Sequence, residues 1–140
     1  MQTLLDLTFH SCPTRLKDVR RAVAEVAEGS GCSDSQVHKL KLVIDEAVSN
    51  VIRHGYGGQK DGEIRLRVTR NQDRLAFHLR DNAPPVDPAC IKPRDLSECR
   101  PGGLGINFID SVMDEWSFSC PTDGSGNVLK MTKTIEREPS

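Results

Sequence analysis

Three observations predict an α+β domain, a two-layer sandwich with three helices covering one face of a mostly antiparallel, mixed sheet. Apolar residues recur at helical spacing in two early segments and one late one. Alternating runs come in pairs, 63–70 with 75–80 and 115–119 with 128–136, each pair joined by a polar or glycine-containing turn. The resulting order, β-α-α-β-β-α-β-β, breaks the strand–helix alternation that a parallel doubly wound sheet requires.

Residues 2–9 read as a first strand with only moderate alternation. Ser11 or Cys12 is placed to cap a helix with Pro13 in its first turn, where a missing N–H is harmless. Leu16, Val19, Val23, Val26 and Ala27 follow helical spacing, and Gly29-Ser30-Gly31 ends that helix. A second helix is predicted from about Ser33 to His54. Ser33 followed by Gln36 makes a capping-box pattern, and Val37, Leu40, Ile44, Ala47 and Val51 form one apolar stripe. Gly55-Tyr56-Gly57-Gly58 stops it.

Ile64, Leu66 and Val68 alternate with Glu63, Arg65, Arg67 and Thr69, so the strand has one wet face. Asn71-Gln72-Asp73-Arg74 turns the chain into 75–80. Residues 82–101 carry Pro84, Pro85, Pro88, Pro93 and Pro101 without any sustained period, and such a stretch inside a compact domain reads as a lid. Gly102-Gly103-Leu104-Gly105 then opens a helix with Ile106, Ile109 and Met113 on one side. Two strands close the chain, joined by Asp123-Gly124-Ser125-Gly126.

With 140 residues, 36% hydrophobic and 28% charged, the chain fits one globular domain spanning 1–140. Its net charge of −1 gives no bulk attraction to nucleic acid or anionic membrane. No apolar run exceeds three residues and no signal peptide is visible, so no membrane association and a cytoplasmic location are expected. Five cysteines, odd in number and without a CxxC pair, argue against a disulfide framework or zinc site and for reduced thiols.

Three places can carry chemistry. The glycine turn before a helix lets backbone N–H groups approach a phosphate, although a plain loop-to-helix junction looks the same. It is neither a P-loop nor a dinucleotide fingerprint. Glu46 and Asn50 lie one helical turn apart, away from the apolar stripe, where a carboxylate and a carboxamide can combine a general base with an oxygen ligand for a divalent ion. Lys39 and Arg53 share that sector, so the pair by itself also fits an ordinary solvated face. His54 reads as a capping or packing residue. Asp81 follows a strand and precedes Asn82-Ala83-Pro84-Pro85, where a carboxylate can accept the amino proton of a base; many such pairs simply start turns.

Taken together, four ordered blocks resemble a known family: Asp45-Glu46-Ala47-Val48-Ser49-Asn50, Arg80-Asp81-Asn82-Ala83-Pro84-Pro85-Val86-Asp87-Pro88, Arg100-Pro101-Gly102-Gly103-Leu104-Gly105-Ile106 and Met131-Thr132-Lys133. They are similar to the anti-sigma-factor serine/threonine kinases. These belong to the GHKL superfamily, which includes histidine kinases, DNA gyrase and heat-shock-90 chaperones. The resemblance covers nearly the whole chain. It implies the Bergerat-type ATP-binding fold, a nucleotide lid at about 82–102, and ATP and Mg²⁺ as cofactors. Carried over residue by residue, it makes Glu46 the catalytic base and Asn50 the Mg²⁺ ligand. Asp81 becomes the reader of the adenine amino group, Gly103 and Gly105 the phosphate-lining glycines, Thr132 the support of Asp81, and Arg100 an arginine able to reach the terminal phosphate. One departure is Asp81-Asn82-Ala83 where the superfamily has Asp-x-Gly.

The resemblance further implies a protein kinase that phosphorylates an anti-sigma-factor antagonist and binds a sigma factor, commonly as a homodimer. A second reading is an ATP-binding regulatory module that sequesters a partner with little or no transfer. Retention of Glu46 favours the kinase. An autophosphorylating histidine kinase would need a dimerisation helix pair, for which the chain has no room.

Overall fold

The computed structural model describes residues 1–83, 106–119 and 126–137, with backbone alone at 106 and 107. Among the described residues five strands form one sheet in the order β1 (Gln2–His10), β2 (Glu63–Asn71), β3 (Arg74–Asp81), β5 (Asn127–Thr134), β4 (Glu115–Ser119), and all four pairings are antiparallel. The expected mixed sheet therefore has no parallel pair among the described residues. Three helices lie on one side.

Strand β1 (Gln2–His10) is the outer strand beside β2 (Glu63–Asn71). Its register slips between Thr3 and Leu5. A bulge of this kind adds a residue to one strand and breaks the two-residue period. That slip explains why Leu4-Leu5 sit together in a strand whose alternation is weak.

The next helix does not start in α-form at Pro13. Pro13–Arg15 is a 3₁₀ turn, and α1 runs Leu16–Gly29, burying Val19, Val23 and Ala27. Cys12 holds the cap position without bonding the backbone through its side chain; its Sγ lies 3.2 Å from Thr14 Oγ1. Helix α2 (Asp34–Asn50) begins as expected, with Ser33 accepting from the Gln36 amide at 3.1 Å. The return half of the capping box is absent. Gln36 is buried, its Nε2 donates to Thr134 O (2.9 Å) and its Oε1 accepts from Glu136 N (2.8 Å), while Ser33 N donates to Glu136 O (2.7 Å). The buried amide thus ties α2 to the far end of the last strand.

At its C-terminal end α2 passes into a π turn, Val51–Gly55, closed by Tyr56 N donating to Val51 O at 2.8 Å. A π turn inserts one residue into the helical repeat. Val51, the last residue of the expected stripe, is half-buried, and Ile52, one turn after buried Val48, is buried instead.

Strand β3 (Arg74–Asp81) folds back on β2 through Gln72 and Asp73, and Asn71 pairs with Arg74, so each strand reaches one residue further into the turn than expected. Gln72 takes φ 58°. On the helix side, Leu66 faces Leu79 and Val68 faces Phe77, and β5 adds Met131. Helix α3 (Ile106–Val112) contributes buried Ile109, with Met113 just beyond it. Strand β4 (Glu115–Ser119) pairs with β5 (Asn127–Thr134), which starts one residue before and ends two before the expected limits. Leu40, Val43, Val48, Ile64, Leu66, Val68 and Met131 have no accessible surface. Each buried side chain of this size is worth roughly 1.5–3 kcal/mol, so this core stabilises the fold.

Candidate nucleotide site

The β3–β5 ladder sets Asp81 opposite Asn127 at one end of the sheet. Asp81 is 6% exposed. Its Oδ1 accepts from Asn127 Nδ2 and from Ala83 N, both at 2.9 Å, and the Asn127 backbone N–H also bonds the carboxylate. Burial pushes the carboxyl above its ordinary pKa of 3.8, and the bonds from Asn127 and Ala83 oppose that rise without cancelling it. The result is a buried acceptor whose orientation is fixed by Asn127 and Ala83.

The backbone around this carboxylate is closely fitted. Gly126 has φ +120°, and a Cβ there would lie 1.9 Å from Asp81 O. Only glycine meets both conditions. Ala83 is buried against Gly55, where an added Cβ would come within 3.2 Å of the alanine methyl. Gln72 is the non-glycine residue with positive φ among those described, so Ala83 fits without the left-handed backbone that glycine would provide. Tyr56 clamps the same corner: its hydroxyl donates to Glu63 O (2.6 Å) and accepts from Asn82 N (2.8 Å). The π turn carries Gly55 and leads into Tyr56, so the end of α2 is fastened to the end of β3.

Glu46 and Asn50 lie on that α2 segment, both half-buried. Asp45 next door is committed to α1 through Arg20 Nη1 at 2.6 Å. Among the described residues Glu46 has only a long pair with Arg53, Nη2 to Oε1 at 3.9 Å, and the same Nη2 donates to Asn50 Oδ1 at 3.4 Å. Arg53 therefore spans both expected functional side chains, as its place in their sector suggested.

Thr132 requires a correction. It pairs with Ala76 and Glu115, and its Oγ1 accepts from Arg74 Nη2 at 3.1 Å. Five residues separate it from Asn127, about 17 Å along an extended strand, and the odd offset turns it to the opposite face. The residue that supports Asp81 is Asn127. Arg100, Gly103 and Gly105, and the expected lid from 84 to 102, lie outside the described residues.

Sequence reasoning missed Asn127, Gly126 and Tyr56. The signal for the first two was the register of two strands far apart in sequence. For Tyr56 it was a lone aromatic in the run Gly55-Tyr56-Gly57-Gly58. Among the described residues no cluster of three or more His, Cys, Asp or Glu side chains is built to hold a metal. The Asn50 carboxamide suits Mg²⁺ chemically, since that ion takes few protein oxygens and fills its shell with phosphate oxygens and water.

Comparison with known proteins follows this geometry. Residues 9–133 match the histidine kinase-like ATPase domain. The serine-protein kinase RsbW of Listeria monocytogenes serovar 1/2a is 31% identical over 123 residues, covering 82% of this chain and 78% of the relative. The serine-protein kinase RsbW of Bacillus subtilis (strain 168) is 29% identical over 143 residues, covering 96% and 87%. Among solved structures, the catalytic domain of histidine kinase ThkA superposes with TM-score 0.60 at 12% identity, covering 96% of this chain and 97% of that one. The Acinetobacter baumannii histidine kinase AdeS gives 0.56 at 13% identity, covering 96% and 69%. At such identities the two structures speak for the fold alone.

Proposed function

The chain belongs to the histidine kinase-like ATPase domain family, and we propose that it is an ATP-dependent serine/threonine protein kinase that works as an anti-sigma factor. The observation that carries this reading is Asp81: a buried carboxylate at the end of β3 whose Oδ1 is fixed by Asn127 and Ala83. An adenine amino group is a donor of the required kind. The relatives named serine-protein kinase RsbW supply the protein-kinase part of the reading.

In this reading ATP lies between the end of α2 and residues 84–105, its adenine on Asp81 and its phosphates toward Gly103 and Gly105, with Arg100 reaching the terminal phosphate. Asn50 holds Mg²⁺, which when bound offsets phosphate charge. Glu46 accepts the proton of a serine or threonine hydroxyl on the protein substrate. That oxygen forms the bond to the γ-phosphorus as the bond to the β–γ bridging oxygen breaks, and ADP leaves. Positioning and electrostatics supply most of the rate.

The phosphate acceptor is an anti-sigma-factor antagonist, and the second partner is a sigma factor bound by the same domain, which acts as a homodimer and contacts neither nucleic acid nor membrane. The cytoplasm is the proposed compartment. Cys12 and Cys32 are free thiols, and no helix among the described residues is long and apolar enough to cross a membrane.

Incubating the pure protein with labelled ATP, Mg²⁺ and the cognate antagonist tests the assignment. Label on an antagonist serine or threonine is expected. Tight binding of partner without transfer would replace the kinase with a sequestering module, and absence of ATP binding would remove both.

A further inference from the structure

The sheet face turned away from the helices has a charge arrangement that the nucleotide site does not use. Register sets Arg67 of β2 beside His78 of β3, and His78 beside Lys130 of β5. Three basic side chains thus stand in one cross-strand row, where like charges repel. The acid at the end of the row, Asp6, faces Arg67, but its two oxygens are taken by Arg65 at 2.9 and 2.7 Å.

Two consequences of that crowding are visible. Arg67 Nε is buried and donates to no acceptor among the described residues, an expensive state for a charged donor. His78 is held below its ordinary pKa, first by burial and then by Lys130 and Arg67. Around the row lies an open depression of about 490 Å³, to which Thr69 and Thr132 also contribute. Arg74 stands at its rim, partly neutralised by Glu115 at 2.8 Å. The volume falls in the range of small-ligand sites.

We propose that this depression binds a small, multiply charged phosphate anion through Arg67, His78 and Lys130. The charge of the anion relieves the repulsion along the row. His78 gains a proton on binding and donates to the anion. A second copy docking by the same face would bring two basic rows together, so charge disfavours that occupant. The site is separate from the nucleotide pocket and does not depend on the kinase reading.

The test uses the full chain with saturating ADP and with inorganic pyrophosphate as probe, following the His78 imidazole by NMR as pH is varied. Pyrophosphate is expected to raise the His78 titration midpoint by about one unit or more. Arg67→Gln and Lys130→Gln should each weaken the effect about tenfold, and added salt should weaken it further. Lys130 is exposed, so its variant keeps the test valid if Arg67→Gln fails to fold. An unchanged midpoint at millimolar pyrophosphate overturns the proposal. So does a midpoint that moves with polyglutamate alone, which would assign the face to an acidic polypeptide, or with protein concentration alone, which would assign it to a second copy. Failure of ADP to bind is read separately, by calorimetry, and bears only on the nucleotide site.

Discussion

Asn127 and Asp81 face each other across the β3–β5 ladder, and the amide of the first donates to Oδ1 of the second at 2.9 Å. This bond decides which way the carboxylate points. Ala83 N donates to the same oxygen. Asn127→Ala removes the side-chain donor from a buried group and is expected to destabilise the fold by about 1–3 kcal/mol and weaken ATP binding about tenfold or more. Asn127→Thr should recover part of both, since a hydroxyl also donates. Thr132→Ala should leave ATP affinity unchanged. Calorimetric titration and thermal melts of the three variants check the assignment; equal losses in Asn127→Ala and Thr132→Ala would contradict it.

Asp81→Asn separates binding from stability. Because the folded pKa is raised, the contribution of Asp81 to stability is fully present below its ordinary value of 3.8 and is lost as pH rises through the folded value. At neutral pH the ionised group therefore opposes folding, and the amide removes that opposition. Asp81→Asn is expected to melt at the same or a higher temperature than the parent at pH 7 while ATP affinity falls at least tenfold. In the parent, ATP affinity should decline on acidification at a higher pH than an unperturbed aspartate would give. Scanning calorimetry and titration at several pH values test both.

Gly126→Ala should be among the most damaging single changes. The new methyl meets a backbone oxygen at 1.9 Å, and the residue has φ +120°. A loss of roughly 2–4 kcal/mol is expected, from strain and from displacement of Asp81. Urea unfolding measures it, and a loss near zero would show that the β5 end is placed differently.

Glu46→Gln is expected to lower the rate of transfer to the antagonist by about 10²–10⁴ with ATP affinity little changed. Arg53→Gln should change stability by less than about 0.5 kcal/mol, because its pair with Glu46 is long and solvent-exposed. Steady-state phosphotransfer with separate ATP titration distinguishes the two roles. A parent-like rate in Glu46→Gln would remove the base assignment.

Features set by neighbours in the chain were legible in the sequence. The Ser33 cap, the Val37–Ala47 stripe and the hairpin at Gln72-Asp73 follow from short-range spacing, and the structure has all three. Glu46 and Asn50 were placed together by a four-residue offset, and the helix keeps them there. What was not legible depends on partners distant in sequence. Gln36 looked like half of a capping box, yet its amide is buried 98 residues away against Thr134. Thr132 was matched by residue type, and the parity of an antiparallel ladder sends it to the wrong face. The π turn leaves no local signature at all; its widening shows only in the bond from Tyr56 N to Val51 O.

That wide turn fixes a phase. Every residue of α2 up to Asn50 keeps the ordinary helical frame, and everything after it is rotated by one position. Removing a single residue between 51 and 55 would restore the ordinary winding, swing the Tyr56 hydroxyl off Asn82 and uncouple the helix from the strand end. The pocket's two halves are thus kept in step by a one-residue surplus, so the length of this short segment is under tighter constraint than its composition.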